Sequence, residues 1–120
     1  IFTGCSARNN VKRSKVSLEQ AKIAVEQQNW DLQRNVYTAI ADAKGALNAY
    51  ESSVAALEAR QGAYNYATEK YSVGLMNSFD FNQSQTLLTN AQSEVLRTKY
   101  DYIFKIKILE FYFGIPLIKN

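Results

Sequence analysis

Few residues in this sequence could carry chemistry. The chain contains no histidine and a single cysteine, Cys5. The sequence therefore lacks the residues for a Cys/His zinc site or for a Ser-His-Asp triad. The carboxylates of the first half stand singly, at Glu19, Glu26, Asp31, Asp42 and Glu51. We expect no catalytic site, no metal site and no cofactor, and we predict that the protein is not an enzyme.

The basic residues are the second group that could recognise a partner. The net charge is +3, and the one cluster of cations comprises Arg8, Lys12, Arg13 and Lys15. Nucleic-acid-binding modules concentrate Lys and Arg on one face within a recognisable fold. At helical spacing these four residues spread over more than one face. We interpret them as a solvated or membrane-proximal patch and expect no nucleic-acid partner.

A heptad repeat runs through the first part of the chain. Apolar side chains recur every seven residues at Val36, Ala43, Tyr50, Leu57, Tyr64 and Tyr71. Companion columns comprise Ile40, Leu47 and Val54, and upstream Leu18, Val25, Leu32 and Ala39. A seam that keeps one direction over many heptads is typical of a left-handed supercoil. The pattern predicts one helix over residues 6–72, roughly 100 Å long at 1.5 Å per residue.

Alanines add small apolar surface on the faces beside this seam. They include Ala21, Ala24, Ala41, Ala46, Ala49, Ala55, Ala56, Ala59, Ala63 and Ala67. A dimeric coiled coil needs one apolar stripe, whereas a helix in the wall of a cylinder needs two. Alanine is also the strongest helix former, so the alanines alone leave both interpretations open.

The heptads stop at residues 73–78 and then resume. Gly74 suits the left-handed residue that follows a helix end, and Asn77 or Ser78 can cap a second helix. A new seven-residue column comprises Phe81, Leu88, Val95, Tyr102 and Leu109. It predicts a return helix over residues 79–113, roughly 50 Å long, that ends at Gly114 and Pro116. The predicted fold is all-α, a coiled-coil-like antiparallel hairpin with unequal arms.

Several short motifs resemble one family. Tyr71-Ser72-Val73-Gly74-Leu75, with Asp80 six residues after the glycine, and Tyr100-Asp101-Tyr102 leading to Phe113-Gly114 resemble the closing repeat of TolC-family outer-membrane efflux channels. The opening Ile1-Phe2-Thr3-Gly4 resembles the end of a barrel strand. The resemblance covers essentially the whole chain and is most specific between Tyr71 and Asp80.

The resemblance implies a part for each segment. Residues 1–5 would end a barrel strand, 6–72 would form a tunnel helix, 73–78 a periplasmic tip, 79–113 a short return helix and 114–120 an equatorial tail. The helices would belong to an α-barrel tunnel built by a homotrimer. The N-terminal repeat and the signal peptide of such channels have no counterpart in this sequence, so we expect a part of a longer channel.

The resemblance also assigns site residues. Val73, Gly74 and Leu75 resemble the tip motif that docks a periplasmic adaptor protein, and Tyr71 resembles a tyrosine that helps latch the closed tunnel. Asp80 resembles an aspartate that rings the tunnel constriction. Two positions depart from some relatives. Met76 replaces a latch arginine, which puts a charge-based latch in doubt, and Gln83 replaces a second acid, so a constriction ring should be weaker.

The function implied is a duct wall. The full channel would export small molecules or proteins across the periplasm and the outer membrane, with these helices in the periplasm. The adaptor would be a direct partner and the inner-membrane pump an indirect one. A plain turn with a hydrophobic cap contact remains the alternative for residues 73–75, a seam position for Tyr71 and a helix-start carboxylate for Asp80.

Two other architectures also fit long helices. An adaptor protein carries a coiled-coil hairpin of its own, but its arms should be nearly equal and flanked by β segments. A generic coiled-coil scaffold would need neither the glycine tip nor the polar first half and aromatic second half of the return helix.

Overall fold

The computed structural model describes residues 2–114, and in this range the chain forms two helices and no strand. Helix α1 runs from Phe2 to Ser72 over 71 residues, and helix α2 runs from Ser78 to Tyr112 over 35 residues. The predicted all-α hairpin with unequal arms is confirmed. The chain divides into two units, residues 1–38 and residues 39–120.

The start of the chain differs from the prediction. Thr3, Gly4 and Cys5 lie in α1 rather than in the end of a strand, and the helix begins four residues before the predicted position. A strand must give its backbone N–H and C=O groups to a neighbouring strand, whereas a helix satisfies them within its own segment. With no strand among residues 2–114 to pair with, the backbone hydrogen bonds favour the helix. Ile1 lies outside the described residues.

The other boundaries lie within about one residue of the predicted ones. Helix α1 ends at Ser72, and α2 begins at Ser78 and is followed by Phe113 as its C-terminal cap. Gly114 has a φ of +70°, the left-handed conformation expected of a residue just past a helix end. Pro116 and the rest of the predicted tail, residues 115–120, lie outside the described residues.

In the second unit, residues 39–72 of α1 pack against α2 along a seam of small side chains. The buried residues are Ala39, Ala43, Ala46, Ser53, Ala67, Leu88 and Thr98. The predicted companion column at Ile40, Leu47 and Val54 is less buried than the neighbouring small residues. Small side chains allow two helix axes to approach closely, so the closest contact follows the column that starts at Ala39.

One layer of this seam is polar. The hydroxyl oxygens of Ser53 and Thr98 lie 2.7 Å apart and are buried. Each oxygen also lies within hydrogen-bond distance of a carbonyl of its own helix, Tyr50 O at 2.7 Å for Ser53 and Glu94 O at 2.9 Å for Thr98. The described part of the chain leaves no buried side-chain polar atom without a partner. The pair therefore joins the helices at one register without an unsatisfied donor.

We predict that Thr98→Val lowers the free energy of unfolding by about 0.5–1.5 kcal/mol, the net value of one buried hydrogen bond. Valine keeps the side-chain shape, and Ser53 keeps its bond to the Tyr50 carbonyl. Thr86→Val is the matched control, because Thr86 also bonds a carbonyl of its own helix but is exposed. Urea unfolding followed by circular dichroism measures both. Equal losses in the two variants would contradict an interhelical role.

We further predict that Ala67→Leu destabilises the hairpin by about 1–3 kcal/mol, because added methylene groups overfill a packed seam. Ala67 is only 2% exposed. Ala63→Leu changes the same residue type one turn earlier on an exposed face and should leave the urea midpoint nearly unchanged. A midpoint for Ala67→Leu that matches the wild type would show that the helices do not close on this column.

Candidate functional site

The turn between the helices is the candidate site, and its first half is built by the end of α1. Gly74 N–H donates to the carbonyl of Tyr71 at 3.1 Å, and Leu75 N–H donates to the carbonyl of Lys70 at 2.9 Å. These two bonds form a Schellman motif, with Gly74 as the left-handed residue. The φ of Gly74 is +77°, as the sequence predicted. A side chain at this position would strain the backbone, although no atom lies within 4 Å of an added Cβ.

The second half of the turn is the start of α2. The side-chain oxygen of Asn77 accepts the backbone N–H of Asp80 at 2.7 Å, so Asn77 is the N-terminal cap. The amide nitrogen of Asn77 donates back to a carboxylate oxygen of Asp80 at 3.0 Å. This reciprocal pair resembles a capping box, and it places a negative charge in the first turn, where the helix dipole favours it.

An aromatic cluster closes the base of the turn. The rings of Tyr71 and Phe81 are stacked, with centroids 4.5 Å apart and planes inclined by 12°. Tyr64 adds a tilted contact to Phe81, with centroids 5.7 Å apart. The two tyrosine rings of α1 thus pack against the phenylalanine ring in the first turn of α2. The cluster therefore holds both ends of the short projection that residues 73–77 form.

Apolar side chains cover the outer surface of this projection. Leu75 and Phe79 are each 74% exposed, and Val73 is 68% exposed. In many Schellman motifs the residue at the Leu75 position packs on a hydrophobic residue one turn back. Here the residues one turn back are Lys70 and Glu69. Leu75 consequently keeps most of its surface in solvent, which weighs against a plain cap contact.

The charged groups nearest this apolar surface have partners within the hairpin. Residues 71–79 contain no charged side chain. On one side the Lys70 ammonium lies 4.7 Å from the ring centre of Tyr66, a cation–π contact. On the other side the Asp80 carboxylate accepts the Asn77 amide. The tip thus presents a neutral apolar surface bounded by one cation and one anion.

The site residues expected from the sequence fall into two groups. Val73, Gly74 and Leu75 lie together on the tip, whereas Tyr71 is 44% exposed and stacks on Phe81 at the base of the turn. Asp80 and Gln83 are exposed three residues apart on α2, so they are neighbours on the helix surface. Phe79 did not emerge from the sequence. The sequence feature that could have revealed it is a large apolar residue outside the heptad column of Phe81.

After Asp80, the first half of α2 has a polar, uncharged exposed surface. Residues 81–93 contain no charged side chain. The exposed polar residues are Asn82, Gln83, Gln85, Thr86, Thr89, Asn90, Gln92 and Ser93. The stretch ends at Glu94, which pairs with Arg97, and hydrogen bonding to that guanidinium lowers the pKa of the Glu94 carboxyl. Such a surface suits contact with water without strong selection by charge.

The last part of α2 changes to exposed apolar residues. They include Leu96, Tyr100, Ile103, Phe104 and Phe111. Spacings of three, four and seven residues bring most of them onto one side of the helix. Contiguous exposed apolar surface is typical of protein contacts, so this end of α2 is suited to a neighbour rather than to open water.

The first unit carries two separate apolar columns. One comprises Val11, Leu18, Val25 and Leu32, and the other comprises Val16, Ile23, Trp30 and Tyr37. All eight residues are between 52% and 73% exposed. The five-residue offset between the columns places them roughly 140° apart at 3.6 residues per turn. The second column did not emerge from the sequence analysis, although its seven-residue spacing is the signal that reveals it.

No groups suited to a metal site come together in residues 2–114. No helix in this range is both long enough and apolar enough to cross a membrane. Cys5 is a free, exposed thiol.

Comparison with known proteins gives one match. The model of the family described as "Outer membrane efflux protein" matches residues 1–110. Searches of curated proteins and of solved structures gave no match. The family match covers nearly the whole chain and includes the tip, the seam and both columns of the first unit. The chain belongs to the outer membrane efflux protein family.

Proposed function

We propose that this chain forms part of the wall of a trimeric efflux duct that exports small molecules or proteins across the periplasm and the outer membrane. The helices would stand in the periplasm beneath an outer-membrane portion of the channel. The observation that carries the proposal is the pair of exposed apolar columns on residues 11–37. Two columns require two neighbouring helices, because one partner covers only one stripe.

The same logic favours a duct over a solid bundle. A helix surrounded on all sides is apolar all round. Here the remaining faces of residues 11–37 carry polar and charged side chains such as Lys22, Glu26 and Arg34. A helix with neighbours on two sides and water on the other two is the wall element of a hollow cylinder. Membership of the efflux family supports this interpretation.

The tip supports docking of a periplasmic adaptor protein. Val73 and Leu75 project from a turn that is fixed by the Schellman motif and the aromatic stack. A turn that is already held at both ends loses little backbone conformational entropy on binding. The proposed partner surface is an apolar groove between adaptor helices. The inner-membrane pump would act through that adaptor, without direct contact implied for this chain.

The alternatives are less well supported. The two arms of an adaptor hairpin should be similar in length, whereas α1 has 71 residues and α2 has 35. A generic scaffold offers no reason for an uncharged polar stretch or for an apolar tip. The match to the efflux family favours the channel over both.

Asp80 is the candidate constriction residue. Its exposed carboxylate lies beside Gln83 at the start of a stretch without other charges. Three copies around a trimer axis would form a ring that attracts cations. Tyr71 has a candidate role in latching the closed tip through its hydroxyl, since its ring is already held by Phe81.

We predict that Gly74→Arg and Leu75→Asp in the full-length channel abolish adaptor binding and export while trimers persist. Arginine would strain the left-handed turn, and aspartate would place a charge in an apolar contact. Gly62→Arg is the control, because Gly62 lies within α1 and an added Cβ there also meets no atom within 4 Å. Export of a fluorescent substrate and native electrophoresis are the measurements. Normal export in both tip variants would refute docking at this turn.

We also predict that Asp80→Asn moves the cation-to-anion permeability ratio of single channels towards one. Gln83→Asp should move the ratio the other way, because it adds a second acid one turn along the same surface. Asp101→Asn serves as the control, since Asp101 is another exposed aspartate of α2 far from the tip. An unchanged ratio in Asp80→Asn would remove Asp80 from the constriction.

A further inference from the structure

We infer that Phe79 is the main aromatic anchor of the tip, a docking residue additional to Val73 and Leu75; this inference rests on the proposed docking of an adaptor. Phe79 is the second residue of α2 and is 74% exposed, as exposed as Leu75. A phenylalanine left in water at the end of a hairpin offers the largest apolar side chain of the tip. Aromatic residues are enriched at the cores of protein interfaces.

Phe79 takes little part in the packing between α1 and α2. Phe79 precedes Phe81 by two residues, which places the two side chains roughly 200° apart around α2. Phe81 faces α1 and stacks on Tyr71, so Phe79 faces away from the seam. Ser84 and Leu88 continue the seam on the Phe81 side. The exposed ring of Phe79 is therefore available to a partner without any cost to the hairpin.

The backbone of Phe79 is also held in place before a partner arrives. It lies between Asn77 and Asp80. The Asn77 amide donates to the Asp80 carboxylate, and the Asp80 backbone N–H donates to the Asn77 side-chain oxygen. The next N–H, that of Phe81, donates to the Asn77 carbonyl at 3.2 Å and starts the regular helix. The cap therefore fixes the backbone that carries the ring. Such preorganisation increases affinity.

The charges around the tip identify the kind of partner. Lys70 is engaged by Tyr66 and Asp80 by Asn77, and residues 71–79 carry no charge. A membrane-binding surface would instead surround its apolar residues with free cations. A strongly charged protein groove would find ion-pair partners only at the edge of the tip, at Glu69, Lys70 and Asp80. The chemistry fits an apolar groove between two helices of a periplasmic adaptor, with the Phe79 ring as the deepest insertion.

The test measures binding of the cognate periplasmic adaptor protein to the full-length channel carrying Phe79→Ser, Phe79→Leu or Gln85→Ser. Gln85→Ser is the control, because Gln85 is an exposed residue of the same helix in the uncharged stretch that faces water. We expect Phe79→Ser to raise Kd by about tenfold or more, as loss of an interface anchor does. Phe79→Leu should retain binding within about threefold, and Gln85→Ser should bind the adaptor like the wild type.

The outcomes separate this inference from the docking proposal. If Phe79→Ser binds normally while Leu75→Asp loses binding, Phe79 is not an anchor and docking at the tip stands. If Leu75→Asp also binds normally, docking at the tip fails as well. A Phe79→Ser channel that no longer forms trimers would place the ring between protomers and overturn the inference. Capture of the wild-type channel by lipid vesicles through Phe79, without adaptor, would overturn it too.

Discussion

The constraint behind this structure is that one partner helix can cover only one stripe of a long helix. Residues 39–72 satisfy it by packing on α2 through Ala39, Ala46, Ser53 and Ala67. The first unit does not satisfy it, since two columns of large apolar side chains remain exposed there. Burial of apolar surface is the main driving force of folding and association. The chain is consequently suited to assembly side by side with other helices.

The tip follows a different rule, because it uses local hydrogen bonds instead of burial. The Schellman bonds at Gly74 and the cap at Asn77 end one helix and start the next within a few residues. The stacked rings of Tyr71 and Phe81 then fix the turn from below. These hydrogen bonds and ring contacts do not use the side chains of Val73 and Leu75, which remain exposed and available to a partner.

The sequence predicted the features that depend on local chemistry. Residue type and position predict the end of α1 near Ser72 and the start of α2 near Ser78. They also predict the left-handed Gly74 and the cap at Asn77. It failed where the answer depends on partners. Extended backbone was predicted near Thr3, but strands need neighbours. The sequence analysis placed Ala46 on a face beside the seam, whereas the close approach of α1 and α2 buries Ala39 and Ala46 in one column.

Electron cryomicroscopy of the full-length channel tests the wall assignment most directly, because it shows what covers each column of the first unit. The expected map places the Leu18 and Leu32 side chains against one neighbouring helix and the Ile23 and Trp30 side chains against a different one, with water on the faces between. A map in which either column faces open water, or in which one helix covers both columns, would contradict the assignment of this chain to the wall of a duct.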